Sequence, residues 1–239
     1  MVTRIATATL PVFLLLHPTA QVRAAEAPRF ASPAVSSVDD AATLLQKVQQ
    51  ALAKSAPKSI HITAAGSGYT YPDNTKQSYW IKYYTGRIDL AAHSGDETIV
   101  RSTDPVKDKG TTEDRKFGGT GPWSDQVSFW TMPFAFLAGA GSNQATVTME
   151  TVQGTAYQVV TFTPPMGQPV SGYITSKNVL DRIRTTYDDP ARGKIEVEVF
   201  FDDWGDFSGL KYPRMIIRHD NHQLARVLIV KAVTSVAGA

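Results

Sequence analysis

Ile195-Glu196-Val197-Glu198-Val199-Phe200-Phe201-Asp202 decides the fold. Ile195, Val197, Val199 and Phe201 fall on one side of an extended chain, and Glu196, Glu198 and Asp202 on the other. A period of two sends successive side chains to opposite faces. The segment therefore predicts an antiparallel strand with one buried face and one wet face.

Outward from this strand the same period recurs. Ile60-His61-Ile62-Thr63 reads as a short strand ended by Gly66-Ser67-Gly68, Tyr79 to Leu90 as a longer, aromatic-rich one, and Thr98 to Arg101 as another. Thr146 to Val152 and Tyr157 to Thr163 pair across Gln153-Gly154-Thr155. Gly172 to Ser176 and Asp181 to Tyr187 pair across Lys177-Asn178, where Asn supplies turn chemistry.

Helical spacing appears in two places. Ser37 reads as the cap of a first helix, with Asp39 and Asp40 in its first turn and Leu44, Leu45, Val48 and Leu52 on one apolar face. Met132 to Ala140 is the second, with Pro133 suited to its first turn and Gly141 to its end. The polar stretch from Ser102 to Gly121 reads as a long mobile loop. Sequential hairpins without βαβ spacing argue against a doubly wound sheet and for an α+β class. No internal repeat interrupts the pattern, and residues 37–239 read as one domain.

The first 24 residues stand apart. Arg4 precedes an apolar run from Ile5 to Leu16, and Val22-Arg23-Ala24 places small residues where a signal peptidase reads. The run is short of the roughly 20 apolar residues that span a bilayer. A signal peptide over residues 1–24, cleaved after Ala24, and a flexible Ala/Pro/Ser leader over 25–36 are expected. The protein is then periplasmic or secreted and does not span the membrane. The chain has 24 Lys and Arg against 22 Asp and Glu; Arg4 and Arg23 leave with the signal, so the remainder is formally neutral. Neutrality argues against nucleic-acid partners, which need many phosphates neutralised. The absence of cysteine excludes disulfides, thiolate nucleophiles and cysteine zinc sites.

Catalytic patterns are sparse. Arg218-His219-Asp220-Asn221-His222-Gln223 holds two histidines between apolar runs, Met215-Ile216-Ile217 and Val227-Leu228-Ile229-Val230. Asp220-Asn221 suits a tight turn, which sets His219 and His222 facing each other across a hairpin. A zinc site wants three or four ligands, so a turn is favoured over a metalloenzyme built on His219, His222 and nearby acids. Ser55-Ala56-Pro57-Lys58 matches Ser-x-x-Lys without its companion motifs, and no nucleophile elbow or phosphate loop is present. Asp202, Asp203 and Asp206 read as a solvated strand end. No metal, cofactor or catalytic residue is assigned, and the chain reads as non-enzymatic. The aromatic residues offer a different site. Trp80, Tyr84, Trp123, Phe129 and Trp130 surround the polar stretch and the helical insertion, to which Phe134, Phe136 and Leu137 belong. Together they compose either a plain core or an apolar concavity for an acyl chain.

One segment carries a family likeness. Phe200-Phe201-Asp202-Asp203-Trp204-Gly205-Asp206-Phe207-Ser208-Gly209-Leu210-Lys211-Tyr212-Pro213 resembles the strand–turn–strand signature of the outer-membrane lipoprotein carrier and sorting superfamily, which are periplasmic half-barrels. A closer likeness is to the domain found ahead of metallo-β-lactamase-fold hydrolases in exported bacterial proteins. It rests on Ile62 to Tyr69, Tyr84 to Asp89, Trp130 to Pro133, Asn178 to Ile183 and the last hairpin, over roughly residues 58–232. The hydrolase zinc motif His-x-His-x-Asp-His does not occur in the chain, so no catalytic residue carries over. The resemblance implies a curved antiparallel β-sheet, a half-barrel wrapped around the N-terminal helix and the helical insertion. It implies binding of a hydrophobic small molecule or lipid, or of a partner protein. The alternative is an accessory domain for an exported hydrolase.

Overall fold

A computed structural model describes residues 40–71, 75–104, 106–118 and 121–237. The expected signal peptide, the leader and the Ser37 cap lie outside these residues. The first helix, α1, spans Ala41–Leu52, and Asp40 is its N-cap rather than a first-turn residue. Its carboxylate accepts the Thr43 backbone N–H at 2.9 Å and the Thr43 hydroxyl at 2.9 Å. Those bonds hold the Asp40 carboxyl below its ordinary value. Leu44, Leu45, Val48 and Leu52 are buried as the spacing predicts.

Eleven strands among the described residues form a single antiparallel sheet. Four come before the insertion: β1 (Pro57–Thr70), β2 (Gln77–Asp89), β3 (Ser94–Ser102) and β4 (Thr111–Gly118). Helices α2 (Trp123–Trp130) and α3 (Pro133–Ser142) follow. The chain then continues through β5 (Thr146–Val152), β6 (Thr155–Phe162), β7 (Val170–Ile174), β8 (Leu180–Asp189), β9 (Gly193–Phe207), β10 (Leu210–Asp220) and β11 (Gln223–Ala237). The sheet order is β4-β3-β2-β1-β11-β10-β9-β8-β7-β6-β5. The strand path thus starts mid-sheet at β1, meanders to one edge, crosses by α2 and α3 to the other edge, and meanders back until β11 pairs with β1.

The sheet is open yet strongly curved. Helix α2 packs against both β4 and β8, which lie seven places apart in the sheet. Flat, those strands would be roughly 34 Å apart at about 4.8 Å per step. A helix with its side chains is only about 10–12 Å across, so the sheet bends around it. Register shifts within the β11–β1–β2–β3 pairings supply bulges that strengthen the bend. The result is the half-barrel, mostly β, with its helices on the buried face. Along β9, Ile195, Val197, Val199 and Phe201 are buried, as the alternation requires.

Three local expectations change. β1 runs through Gly66-Ser67-Gly68 instead of stopping there, because glycine at 68 admits the Tyr79 ring: a Cβ would sit 2.0 Å from it. The polar stretch before Gly121 contains β4, an edge strand whose Glu113, Asp114, Arg115 and Lys116 keep the sheet margin charged. Trp123–Trp130 is helical although only Met132–Ala140 shows the signal. Its eight residues, about two turns, are held by Gln126, whose side chain donates to the Gly121 carbonyl at 2.7 Å and accepts from Trp130 Nε1 at 3.2 Å.

Two glycines of α3 test this packing. A Cβ at Gly139 would lie 2.5 Å from the rings of both Phe162 and Trp130, whereas one at Gly141 meets nothing within 4 Å. Gly139→Ala is expected to lose about 1–3 kcal/mol of stability through overpacking. Gly141→Ala should be neutral or gain up to about 1 kcal/mol from helix propensity. Urea unfolding of both variants measures the contrast.

Candidate functional site

Alternation brings charge as well as apolar bulk to the buried face. On β3, Glu97, Ile99 and Arg101 share one parity; on β4, Glu113, Arg115 and Phe117 do so. On β11, Arg226 precedes the buried Leu228 and Val230, and on β10, Arg218 follows the buried Ile216. The register sets Arg218 directly opposite Arg226. At this end of the half-barrel lies a cavity of about 900 Å³. Tyr79, Ile99, Tyr187 and Ile195 give it apolar wall, and Arg101, Arg115, Arg192, Arg218 and Arg226 give it cationic rim. Asp220, at the end of β10, is the acid in its lining.

Each guanidinium is held. Arg218 Nε donates to Asp220 at 2.7 Å and its terminal nitrogen to the second oxygen at 3.3 Å. Arg192 donates to Asp189 at 3.0 Å and to the Tyr187 hydroxyl at 2.9 Å. Arg226 donates to the fully buried Glu97 at 3.3 Å and lies over the Tyr84 ring, 5.7 Å from its centroid. Glu113 serves two partners, Arg101 at 2.7 Å and Arg115. Arg101 also stacks on Tyr79, 4.7 Å from the centroid, with Gly68 beneath that ring. Burial first, and the Glu97 charge second, push the Tyr84 phenol well above its ordinary value. Burial is the largest influence and disfavours the Arg226 charge, but Glu97, Tyr84 and Tyr79 together outweigh it and the net direction is up.

The apolar residues chosen from sequence are placed differently. Phe129, Trp130, Phe134, Phe136 and Leu137 are packed in the core with Tyr84. Phe129 meets Trp130 edge to face at 4.7 Å, and Phe134 stacks on Tyr212 at 6.3 Å. Trp123 is half-buried and its Nε1 donates to the Thr186 carbonyl at 2.6 Å. Trp80 has the opposite parity to buried Ile81 and is 52% exposed, on the outer face. The cavity wall is therefore built from other residues. Their sequence signal is arginine where period two calls for an apolar side chain, as in Ile99-x-Arg101 and Arg226-x-Leu228.

The late histidines also part. The turn is Asn221-His222, both at positive φ, with Asp220 paired to Gln223 and His219 to Leu224. The expected face-to-face arrangement of His219 and His222 is thereby corrected. Asn221 takes the turn because its side chain accepts the Glu196 N–H at 2.8 Å while its own N–H donates to the Glu196 carbonyl at 2.8 Å. His219 packs on Phe200 at 5.4 Å, and exposed His222 lies 3.4 Å from Glu196.

An open antiparallel half-barrel, closed over by its crossover helices and hollow at one end, is the class this architecture defines. A LolA superfamily protein from Nitrosomonas europaea is similar to it, with 13% identity, 84% of this chain and 95% of that chain covered, and a TM-score of 0.52. A DUF1329 family protein from Desulfovibrio piger aligns at 10% identity over 83% of this chain and 93% of its own, with a TM-score of 0.45. No protein-family model matches the sequence, and no curated protein aligns with it significantly. The first likeness shows the fold, in agreement with the half-barrel that Phe200 to Pro213 implies.

Two measurements probe the buried charge. Glu97→Gln strands Arg226 and should cost about 3 kcal/mol; pairing it with Arg226→Met should recover much of that in a double-mutant cycle of urea unfolding. The Tyr84 phenol is raised in the folded state, so its contribution is complete below the unfolded value of about 10 and fades as pH climbs above it. Tyr84→Phe should flatten the loss of stability between pH 9 and 11 (roughly the window around that value), read as the pH dependence of the thermal midpoint.

Proposed function

We propose that this is an exported, non-enzymatic binding protein that holds a hydrophobic or amphiphilic small molecule, such as a lipid or acyl chain, in the hollow end of its half-barrel. The observation that carries the reading is the cavity of about 900 Å³ walled by Tyr79, Ile99, Tyr187 and Ile195. That size falls within the range of roughly 300–1,000 Å³ typical of small-molecule sites. The superfamily resemblance and the shared fold support a carrier-type role, and the signal-like N-terminus supports a periplasmic or secreted location. Among the described residues no helix is long and apolar enough to cross a membrane. Residues 37–239 act in this reading as one half-barrel domain. The aromatics of α2 and α3 form the packed core and stand outside the cavity lining. The accessory-domain alternative draws no support from the fold likeness, which is to a LolA superfamily protein.

Binding would bury apolar ligand surface at about 25 cal/mol per Å², close to 0.8 kcal/mol per methylene. Protein purified from its native host should carry extractable lipid detectable by mass spectrometry, and stripped protein should take up a fluorescent fatty acid. Ala225→Trp, which fills the wall from a half-buried position, should weaken that uptake at least tenfold (about 1.4 kcal/mol). Lipid-free protein that ignores the fatty acid overturns the reading.

A further inference from the structure

We infer that the cavity selects amphiphiles with an anionic head, a carboxylate or a phosphate, and that Arg101 and Arg115 receive it. The inference rests on the binding reading above and adds the chemistry of the ligand's polar end.

The first support is charge. Five arginines line the cavity. Asp220 neutralises Arg218, Glu97 neutralises Arg226, and Asp189 neutralises Arg192. Glu113 alone faces the remaining two, with one oxygen toward each. The β3–β4 wall is therefore one carboxylate short. A second carboxylate or phosphate completes the pairing, because guanidinium presents more donors than one carboxylate fills.

An unmet donor is the second support. The Nε–H of Arg101 is buried and has no acceptor among the described residues. A buried charged donor without a partner is costly, more so than a neutral one. The side chain as a whole is 31% exposed and lines the cavity, so a ligand oxygen approaches its terminal nitrogens, and a small turn of the guanidinium is what would bring the Nε–H to it.

Preorganisation is the third. Arg101 is laid on Tyr79, and Tyr79 is laid on the bare backbone at Gly68. The guanidinium plane is thereby fixed before any ligand arrives, which lowers the ordering cost of binding. Half-buried Tyr71 and Tyr79 of the same lining offer apolar surface for the ligand's tail, with Ile99 and Ile195 buried in the wall.

Titration calorimetry with octanoate, octyl phosphate, 1-octanol and inorganic phosphate tests the idea on the delipidated protein. Both octyl anions should bind at least tenfold tighter than octanol. Arg101→Gln should remove that advantage and leave octanol affinity unchanged, while Arg101→Lys should keep part of it. Should Arg101→Gln fail to fold by circular dichroism, the wild type decides: raising salt should weaken the octyl anions several-fold and leave octanol unaffected. Equal affinity for anions and octanol overturns the anion site and leaves the hydrophobic reading standing. Binding of inorganic phosphate as tight as octyl phosphate, lost in Arg101→Gln, upholds the anion site and defeats the acyl reading. No binding by any probe overturns both.

Discussion

Pairing of β1 with β11 joins the two ends of the chain's path at the centre of the sheet, with Ile62 opposite Val233. Every other pair of neighbours in the sheet is consecutive in the chain. This seam therefore dictates the rest. With the first and last strands side by side within the sheet, the path must leave one edge at β4 and re-enter at the other edge at β5. Only one connection does this, and it must pass over a face of the sheet. Because α2 and α3 are apolar, with Phe129, Trp130, Phe134 and Phe136 all buried, they cross on the buried face and pull it into a trough. Curvature follows from connectivity plus burial, with the bulges near the seam easing the bend. Closing so long a loop carries an entropic cost that grows only slowly with length, but contacts so distant in sequence make for slow folding.

A trough filled at its middle by two short helices has room left at its ends. What lines that room is set by strand parity. The cavity lining takes Arg101, Arg115, Arg218 and Arg226 from β3, β4, β10 and β11 and no residue from the helices. An ordinary core would place Ile or Val at these sites. Buried charge is tolerated at Arg226 and Arg218 because acids sit beside them, Glu97 on β3 and Asp220 on β10, while partly exposed Glu113 on β4 faces Arg101 and Arg115. Replacing such pairs with hydrophobes is often neutral or stabilising. Their presence thus argues for a demand other than stability at this end.

How far the sequence discloses this depends on the scale of each signal. Period-two segments such as Ile195 to Phe201 are local and strong, so most strands and the Ser208-Gly209 and Asn178 turns are legible. β4 is not, because an edge strand with charges on both sides has no alternation to read. Helix α2 is short, and its stability comes from Gln126 and from packing on β4 and β8 rather than from propensity. The histidine turn is misplaced by one residue because the deciding bonds run from Asn221 to Glu196, on another strand. Gly66-Ser67-Gly68 looks like punctuation, but its glycine serves close approach of a ring from β2.

The site was harder to see for a related reason. Aromatic density around residues 123–137 marks where apolar bulk is concentrated, and concentrated bulk packs against itself: Trp130 meets Phe129 and Phe162, and Phe136 meets Phe162. Space is left where side chains cannot pack tightly, and arginines held apart by like charge are such side chains. Arg218 and Arg226 lie opposite each other, each turned to its own acid. Like charges directly across a ladder repel, so the rim cannot collapse inward without losing those pairs. The same electrostatic arrangement therefore gives this end of the half-barrel a cationic rim around open space.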